Sequence, residues 1–390
     1  MNGRRTVLFL HPSDELYGSD QMLLHGIRGL DKDLYQALVV LPRDLAYPGL
    51  LSEQLRIAGA QVHFMDLGVI RRRYLTVFRI PGLGWRLMMS TIRLRRLIRQ
   101  GHVDLVYTNT LVIWSGALAA RWTRRPHLWH VHELVTGWWW LRRLVGRVVR
   151  ALAGTLVVNS VASAEALLGP NRSRHVEILP NGVEMPRRYR ADARERIRKE
   201  WQVGDEHVVV GSIGRLSYRK GQRQLIAAAA VVLKKTDSIR LVVVGGTVPG
   251  QERFLSELQA DAAQLGIENR VIFTGFRQDI DDILEAIDLF VMPSLLPEPF
   301  GLAAVEAMAH ARAVIGTRAG GLAEVVADQQ TGLLVPPGDP SALATAILSL
   351  AEDRLSREFM GVEGRRRVMN SFTLEAYAVR YRQILATIFA

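Results

Sequence analysis

The chain has 390 residues, close to half of them apolar, and no cysteine. That length exceeds one ordinary core, so two domains are expected, and the apolar share argues against a disordered chain. The lack of cysteine excludes disulfides and thiolate metal sites and suits a cytosolic compartment, while a formal charge of +12, nearly all of it arginine, points to attraction for a polyanion.

Thr6–His11 reads as a buried strand. Its apolar run is too short for a secretory leader and meets polar residues at once, and no later run approaches the length of a transmembrane helix. The first half then alternates: helix Ser19–Leu30, strand Gln36–Leu41, helix Gly49–Gly59, strand Val62–Met65, basic helix Trp85–Arg99, strand Leu105–Asn109, helix Val112–Trp122, strand His127–His132, helix Leu141–Ala151, strand Thr155–Asn159, helix Val161–Leu168 and strand Val176–Leu179. Short β-branched runs alternating with helices mean a parallel sheet covered on both faces.

Pro180-Asn181-Gly182 is turn chemistry, and Pro186–Lys199 reads as linker plus helix. A second series follows: strand His207–Ile213, helix Gly221–Lys234, strand Ile239–Gly245, helix Gln251–Leu265, strand Val271–Thr274, helix Ile280–Ala286 and strand Leu289–Met292. After an acid-bearing loop and its helix come strand Ala313–Thr317, a helical turn at Ala323–Val326, strand Gly332–Val335, and helices Ser341–Glu352, Leu355–Ser371 and Thr373–Phe389. The expectation is an α/β chain of two doubly wound, Rossmann-like domains facing a central cleft: residues 1–185, residues 186–372, and a terminal helix from 373 to 390 that crosses back to the first domain. In such sheets ligands sit at the carboxyl ends of the strands.

The chemistry concentrates at those ends. Glu298 lies among prolines, so it is on a loop, and Glu306 follows after seven intervening residues on a helix that opens near Gly301. A carboxylate beside a helix N-terminus, where free N–H groups favour anions, suits a ligand carrying both hydroxyls and phosphates. Arg215 and Lys220 follow the strand ending at Ile213; a guanidinium grips phosphate oxygens in pairs and an ammonium adds a point charge. His130 and His132 alternate on one strand and share a face. They resemble half of a metal site, but no third ligand is near in sequence, so His132 fits better as a neutral or protonated donor beside a reacting sugar; His130 is open to a purely structural reading. Asp279-Ile280-Asp281 is a D-x-D, explained by acids in a helix's first turn rather than by a metal. Gly18 follows the first strand and would allow close approach of a ligand to the backbone.

The charge is uneven. Between Asp66 and Asp104 there is no acid but nine arginines: Arg71, Arg72, Arg73, Arg79, Arg86, Arg93, Arg95, Arg96 and Arg99. Trp138-Trp139-Trp140 precedes Arg142, Arg143, Arg147 and Arg150. Tryptophan beside arginine suits a lipid interface, so Arg71–Arg99 and Trp138–Arg150 read as a peripheral face for an anionic membrane. A solvated basic face, or tryptophans in a pocket or core, are the alternatives.

The ordered set resembles the retaining GT-B glycosyltransferases of glycosyltransferase family 4: Leu16-Tyr17-Gly18-Ser19-Asp20, His132-Glu133, Leu179-Pro180-Asn181-Gly182-Val183, Gly214-Arg215-Leu216 through Lys220-Gly221, Pro293-Ser294, Glu298 through Glu306, Ala319-Gly320-Gly321-Leu322-Ala323-Glu324 and Thr331 through Asp339. The resemblance implies that Arg215 and Lys220 hold the diphosphate. It gives the donor sugar to Glu298 and the backbone of Phe300, Gly301 and Leu302, and the ribose to Glu306. His132 would stand beside the sugar, and Gly18 would border the diphosphate. Gly18-Ser19 stands where the family often has Gly-Gly, and His132-Glu133 where it often has His-Asp; both departures lie on the acceptor side. The expected activity moves a hexose from a UDP- or GDP-sugar to a glycan or lipid-linked hydroxyl, with no metal and no cofactor, in the cytoplasm or on the cytoplasmic membrane face. A sugar-nucleotide epimerase on the same plan is the enzymatic alternative. A basic nucleic-acid binder explains the arginines but not the acid loop, and no nucleic-acid partner is expected. A dinucleotide oxidoreductase would need a Gly-x-Gly-x-x-Gly turn that His11–Ser19 lacks.

Overall fold

In the computed structural model, residues 3–71, 80–135, 139–169, 176–186, 191–247 and 251–389 are described. The chain divides into two compact units, Met1–Gly182 with Leu374–Ala390, and Val183–Thr373.

The first unit holds β1 (Arg5–Leu10), α1 (Gly18–Arg28), β2 (Tyr35–Pro42), α2 (Leu50–Ile57), β3 (Gln61–Met65), α3 (Ile80–Gln100), β4 (Val103–Thr108), α4 (Trp114–Thr123), β5 (His127–Val131), α5 (Trp139–Leu152), β6 (Thr155–Val158), α6 (Val161–Leu168) and β7 (Val176–Ile178). Its seven strands run parallel in the order β3-β2-β1-β4-β5-β6-β7. Strand β1 is apolar and closed to solvent from Val7 to Leu10, as a strand covered on both faces must be.

The second unit holds α7 (Ala191–Glu200), β8 (Val208–Ile213), α8 (Gln222–Leu233), β9 (Ile239–Val244), α9 (Arg253–Gln264), β10 (Val271–Gly275), α10 (Ile280–Ala286), β11 (Leu289–Met292), α11 (Leu302–Ala309), β12 (Ala313–Thr317), α12 (Leu322–Val325), β13 (Gly332–Val335), α13 (Pro340–Glu352) and α14 (Arg354–Ser371). Its six strands are parallel in the order β10-β9-β8-β11-β12-β13. Two apolar clusters, one on each face of this sheet, include Leu225, Phe254 and Ile315 in one and Phe290, Val305 and Leu322 in the other.

The last helix, α15 (Leu374–Phe389), belongs to the first unit, where Tyr377 and Tyr381 pack against Gly26 of α1. Both sheets reverse direction once: chain order moves outward from β1 to β3 and from β8 to β10, then returns to β4 and β11 on the other side. The carboxyl ends of β1 and β4, and of β8 and β11, are therefore the two topological switch points where such sheets bind ligands.

Candidate active site

At the β8/β11 switch point, Lys220 and Glu298 meet although 78 positions separate them in sequence. Lys220 Nζ donates to both carboxylate oxygens, at 2.8 and 3.0 Å. The Ser294 hydroxyl donates to Glu298 Oε1 as well. Glu298 is held among buried groups, while Lys220 keeps about a third of its side chain open. An ammonium shared with a carboxylate this way is fixed in place yet still able to face an anion.

Two glycines make the meeting possible. Gly221 adopts φ +72°, and a Cβ there would lie 1.8 Å from the Pro293 carbonyl oxygen, so only glycine lets the loop after β8 pass under the exit of β11. Gly320, at φ +65°, lies in a bridge with Glu298, and its Cβ would stand 2.3 Å from the Glu298 carbonyl oxygen. The Gly321 N–H donates to that same carbonyl at 2.7 Å. The Glu298 backbone is thus pinned from the loop after β12.

Gly301 caps α11 from a left-handed conformation at φ +97°. The first-turn N–H groups of this helix follow directly on the Glu298 loop. The Phe300 side chain turns into the core and meets Phe372 edge-on, with centroids 5.6 Å apart. Arg215 is exposed just after β8, and its carbonyl accepts from Gln222 Nε2 at 3.2 Å.

Glu306 lies farther along α11, beside Asp281 and His310. Burial and the Asp281 charge push its carboxyl pKa up to about 7, against a pull from His310. His310 bridges Asp281 (3.2 Å) and Glu285 (3.0 Å), and Arg312 pairs with Glu285 at 2.9 Å. Burial works against a charged His310, but its hydrogen bonds to Asp281 and Glu285, and their charges, outweigh it and raise its pKa. The D-x-D acids therefore have separate employment: Asp281 with His310, and Asp279 with Arg277 at 2.6 Å.

The β1/β4 switch point of the first unit gathers histidines and an amide around Asp20. His11 follows β1, Asn109 follows β4 and His132 follows β5. Asp20 accepts from His11 Nε2 at 2.7 Å, from the Ser13 hydroxyl at 2.5 Å and from the Tyr17 N–H at 2.9 Å. Asn109 stands between His11 (3.0 Å) and His132 (2.9 Å). Burial, helped by the nearby His11, pushes the His132 pKa down to about 3. The lowered pKa favours the neutral ring, one of the two forms expected of His132. Gly18 opens α1 next to this cluster.

His130 and His132 do share a face, their ring centroids 3.9 Å apart. His130 Nδ1 shares a 2.6 Å hydrogen bond with the Tyr107 hydroxyl. Glu133 turns inward: the Thr110 hydroxyl and the N–H groups of Leu111 (3.1 Å) and His132 (3.2 Å) donate to it, so it braces the turn after β5. His11, Ser13 and Asn109 were not singled out from sequence, although each lies just past a strand end, where the switch-point rule looks.

The arginine block is less available than its count suggests. Arg71 forks onto Asp44 at 2.6 and 2.8 Å, and Arg86 pairs with Asp66 at 2.8 Å. Arg72, Arg73, Arg79 and Trp138 lie outside the described residues. Arg93, Arg96 and Arg99 are exposed on α3. Helices α3 and α4 leave an apolar groove of about 420 Å³ lined by Leu87, Met88, Leu118 and Trp122, with Arg121 at its edge. Trp85, Trp122, Trp139 and Trp140 are exposed, so Trp139 and Trp140 are not core residues. Arg95 lies over the Trp122 ring at 4.4 Å. Among the described residues no helix is long and apolar enough to cross a membrane.

The family model Glycosyltransferase Family 4 matches residues 22–187, and Glycosyl transferases group 1 matches residues 193–367. A GDP-mannose-dependent alpha-(1-6)-phosphatidylinositol monomannoside mannosyltransferase of Mycobacterium tuberculosis is 30% identical over 320 residues, 75% of this chain and 78% of the relative. A 2-deoxystreptamine glucosyltransferase of Streptomyces kanamyceticus is 28% identical over 309 residues, 75% of each protein. Among solved structures, Anabaena Alr3699/HepE in complex with UDP-glucose has a TM-score of 0.83 at 26% identity, over 98% of this chain and 99% of that one. This chain belongs to glycosyltransferase family 4, with the GT-B fold of two Rossmann-like domains. It is a glycosyltransferase that uses a nucleotide-sugar donor.

Proposed function

We propose that the chain is a retaining hexosyltransferase that needs neither metal nor cofactor and takes a UDP- or GDP-sugar as donor. The observation that carries this reading is the Lys220–Glu298 pair at the β8/β11 switch point. Glu298 accepts hydrogen bonds from the sugar, Lys220 and Arg215 take the diphosphate, the backbone at Phe300, Gly301 and Leu302 closes on both, and Glu306 takes the ribose. Relatives named for GDP-mannose and a neighbour holding UDP-glucose support these two donors.

Breaking the anomeric bond leaves an oxocarbenium-like sugar and a diphosphate. Two cations and the α11 N-terminus stabilise the charge that develops on the leaving group, an electrostatic effect that usually dominates such catalysis. The acceptor hydroxyl attacks on the face the diphosphate leaves, and a phosphate oxygen takes its proton. The face presented by α3, α4 and α5, with exposed tryptophans and arginines, supports a lipid-linked or glycan acceptor met at an anionic membrane surface on the cytoplasmic side.

A thermal-shift screen against UDP-, GDP-, ADP- and TDP-sugars, with and without a chelator, tests the reading. A bound donor raises apparent stability by mass action. One nucleotide should raise the midpoint, unchanged by the chelator. No shift from any of them refutes the donor assignment, and turnover of donor with no acceptor present would favour an epimerase.

A further inference from the structure

A hydrogen-bonded chain crosses the β1/β4 switch point and ends on a nitrogen with no partner. Asp20 Oδ1 accepts from His11 Nε2 at 2.7 Å. His11 Nδ1 lies 3.0 Å from Asn109 Nδ2, and Asn109 Oδ1 lies 2.9 Å from His132 Nε2. The direction of the chain depends on the orientation of the Asn109 amide. The Ser19 carbonyl settles it: a carbonyl can only accept, and it stands 3.4 Å from Asn109 Nδ2. The amide nitrogen therefore faces Ser19 and His11, and the amide oxygen faces His132.

The proton positions follow link by link. Asn109 Nδ2–H donates to a bare His11 Nδ1, so His11 carries its proton on Nε2 and gives it to Asp20. Asn109 Oδ1 can only accept, so His132 carries its proton on Nε2. His132 Nδ1 is then a lone pair, buried and without a partner among the described residues.

We propose that Asp20, His11 and Asn109 form a positioning relay that locks His132 in its Nε2–H tautomer, leaving Nδ1 as a dedicated acceptor for a substrate hydroxyl. The inference rests on the reading that His132 stands beside the reacting sugar. The relay is anchored at a saturated carboxylate, since Ser13 and the Tyr17 N–H also donate to Asp20. Burial alone would raise the Asp20 pKa, but the His11, Ser13 and Tyr17 contacts outweigh it and keep the acid ionised. Specificity follows from the sign of the contact. A lone pair takes a hydrogen bond from a hydroxyl and rejects an ether, a fluorine or a phosphate oxygen, none of which can donate. Asn109 acts through His132, so it is a positioning residue.

The test uses the full chain labelled with ¹⁵N in histidine. Long-range proton–nitrogen correlation separates protonated from bare ring nitrogens, and His132→Gln assigns the His132 signals. The wild type should show a protonated Nε2 and a bare Nδ1 on His132. Asn109→Leu should lose this preference and lower kcat/KM about tenfold, the equivalent of one hydrogen bond. Asn109→Asp should keep it, because a carboxylate still accepts from Nε2–H, while His11, now between two carboxylates, carries a proton on Nδ1 as well as on Nε2; its kcat/KM should stay within about threefold of wild type. If the leucine variant does not fold, the aspartate variant carries the test through that added proton on His11. A wild-type His132 protonated on Nδ1 overturns the proposal, as does an Asn109→Leu protein with unchanged tautomer or unchanged rate. Those failures leave the donor site of the second unit standing, whereas loss of every nucleotide-sugar thermal shift falls on that site instead.

Discussion

The two units share one architecture and place polar groups at the same topological position, yet they equip it with opposite chemistry. In the second unit, an exposed-edge lysine meets a carboxylate beside a helix N-terminus. In the first, histidines and an amide are packed away from solvent in a hydrogen-bonded chain anchored on Asp20. Charge is suited to a leaving group that becomes an anion; a neutral, directional network is suited to hydroxyls whose charge does not change. A doubly wound sheet thus fixes where a ligand can sit but leaves open what the site does there.

The sharpest way to break this contrast is at Lys220. Lys220→Ala removes a cation expected to act on the leaving group and leaves Glu298 with only the Ser294 hydroxyl from the present trio. Turnover at saturating donor should fall roughly 10²- to 10³-fold, the scale seen when a preorganised charge-stabilising donor is lost. His132→Gln should cost only about tenfold, in keeping with a single neutral hydrogen bond. Initial rates with circular dichroism as a folding control decide the matter; a Lys220→Ala enzyme as active as His132→Gln would erase the distinction.

The same contrast predicts opposite responses to acid. In the first unit, burial lowers the pKa of His25 and His127 to about 4, of His132 to about 3, and of His130 well below its ordinary value. Depressed histidine pKa values mean the unfolded chain binds the extra protons, so this stability is full above about pH 6.5 and is lost as pH falls. For His127 the full loss is on the order of 3 kcal/mol. The buried Glu133, whose pKa is raised, opposes the trend as one group against four. In the second unit, Glu306 is raised to about 7 and His310 is raised too. Their contributions are present at low pH and lost as pH rises through those values. Asp279 and Asp328, held below the ordinary carboxylate range, enter only at lower pH. Hydrogen exchange between pH 7.5 and 5, corrected for intrinsic rates, should show falling protection in β5 and β6 with steady or rising protection in α10 and α11. Parallel loss in both units would contradict this assignment of charges.

A smaller effect concerns Glu306 itself. With a pKa near 7 in the free protein, it is part-protonated at neutral pH, and its ionised form is the better acceptor for two ribose hydroxyls. Donor affinity should therefore rise severalfold from pH 6 to pH 8, and Glu306→Gln should flatten that slope. Titration calorimetry at several pH values reads this directly, and a slope surviving in the glutamine variant would place the proton elsewhere.

Most of the fold was legible because buried parallel strands are continuous apolar runs. The strands Leu289–Met292, Ala313–Thr317 and Gly332–Val335 are recovered residue for residue. The start of α3 was not: the helix begins at Ile80 and runs through Pro81, Gly82 and Gly84, residues that read as punctuation before Trp85. Proline is tolerated in a helix's first turn, where its missing N–H costs nothing. In the site, the loop acids and cations were visible as charges at strand ends. The relay was not, because His11 and Asn109 lie 98 positions apart and an amide carries no charge pattern to betray it. In the arginine block a run of charges does not reveal which members are paired, as Arg71 is with Asp44 and Arg86 with Asp66.

The exposed part of that block yields the smallest prediction, with Arg71 as its control. If the α3 face meets an anionic membrane, the exposed Arg93, Arg96 and Arg99 should supply the attraction, each worth about 1 kcal/mol near a charged surface, or roughly fivefold in binding. Arg71 should supply none, because its guanidinium is spent on the buried Asp44. Replacing the three exposed arginines with glutamine should reduce retention on anionic vesicles at low salt, and added salt should do the same to the wild type by screening. Arg71→Gln should leave retention unchanged and lower thermal stability instead, since it removes the guanidinium fork from the buried Asp44 carboxylate. Flotation with anionic and zwitterionic vesicles separates the cases. A wild-type protein that fails to float with anionic vesicles at low salt ends the membrane reading, and equal losses from Arg71 and the exposed trio would mean that net charge, rather than this face, governs the attraction.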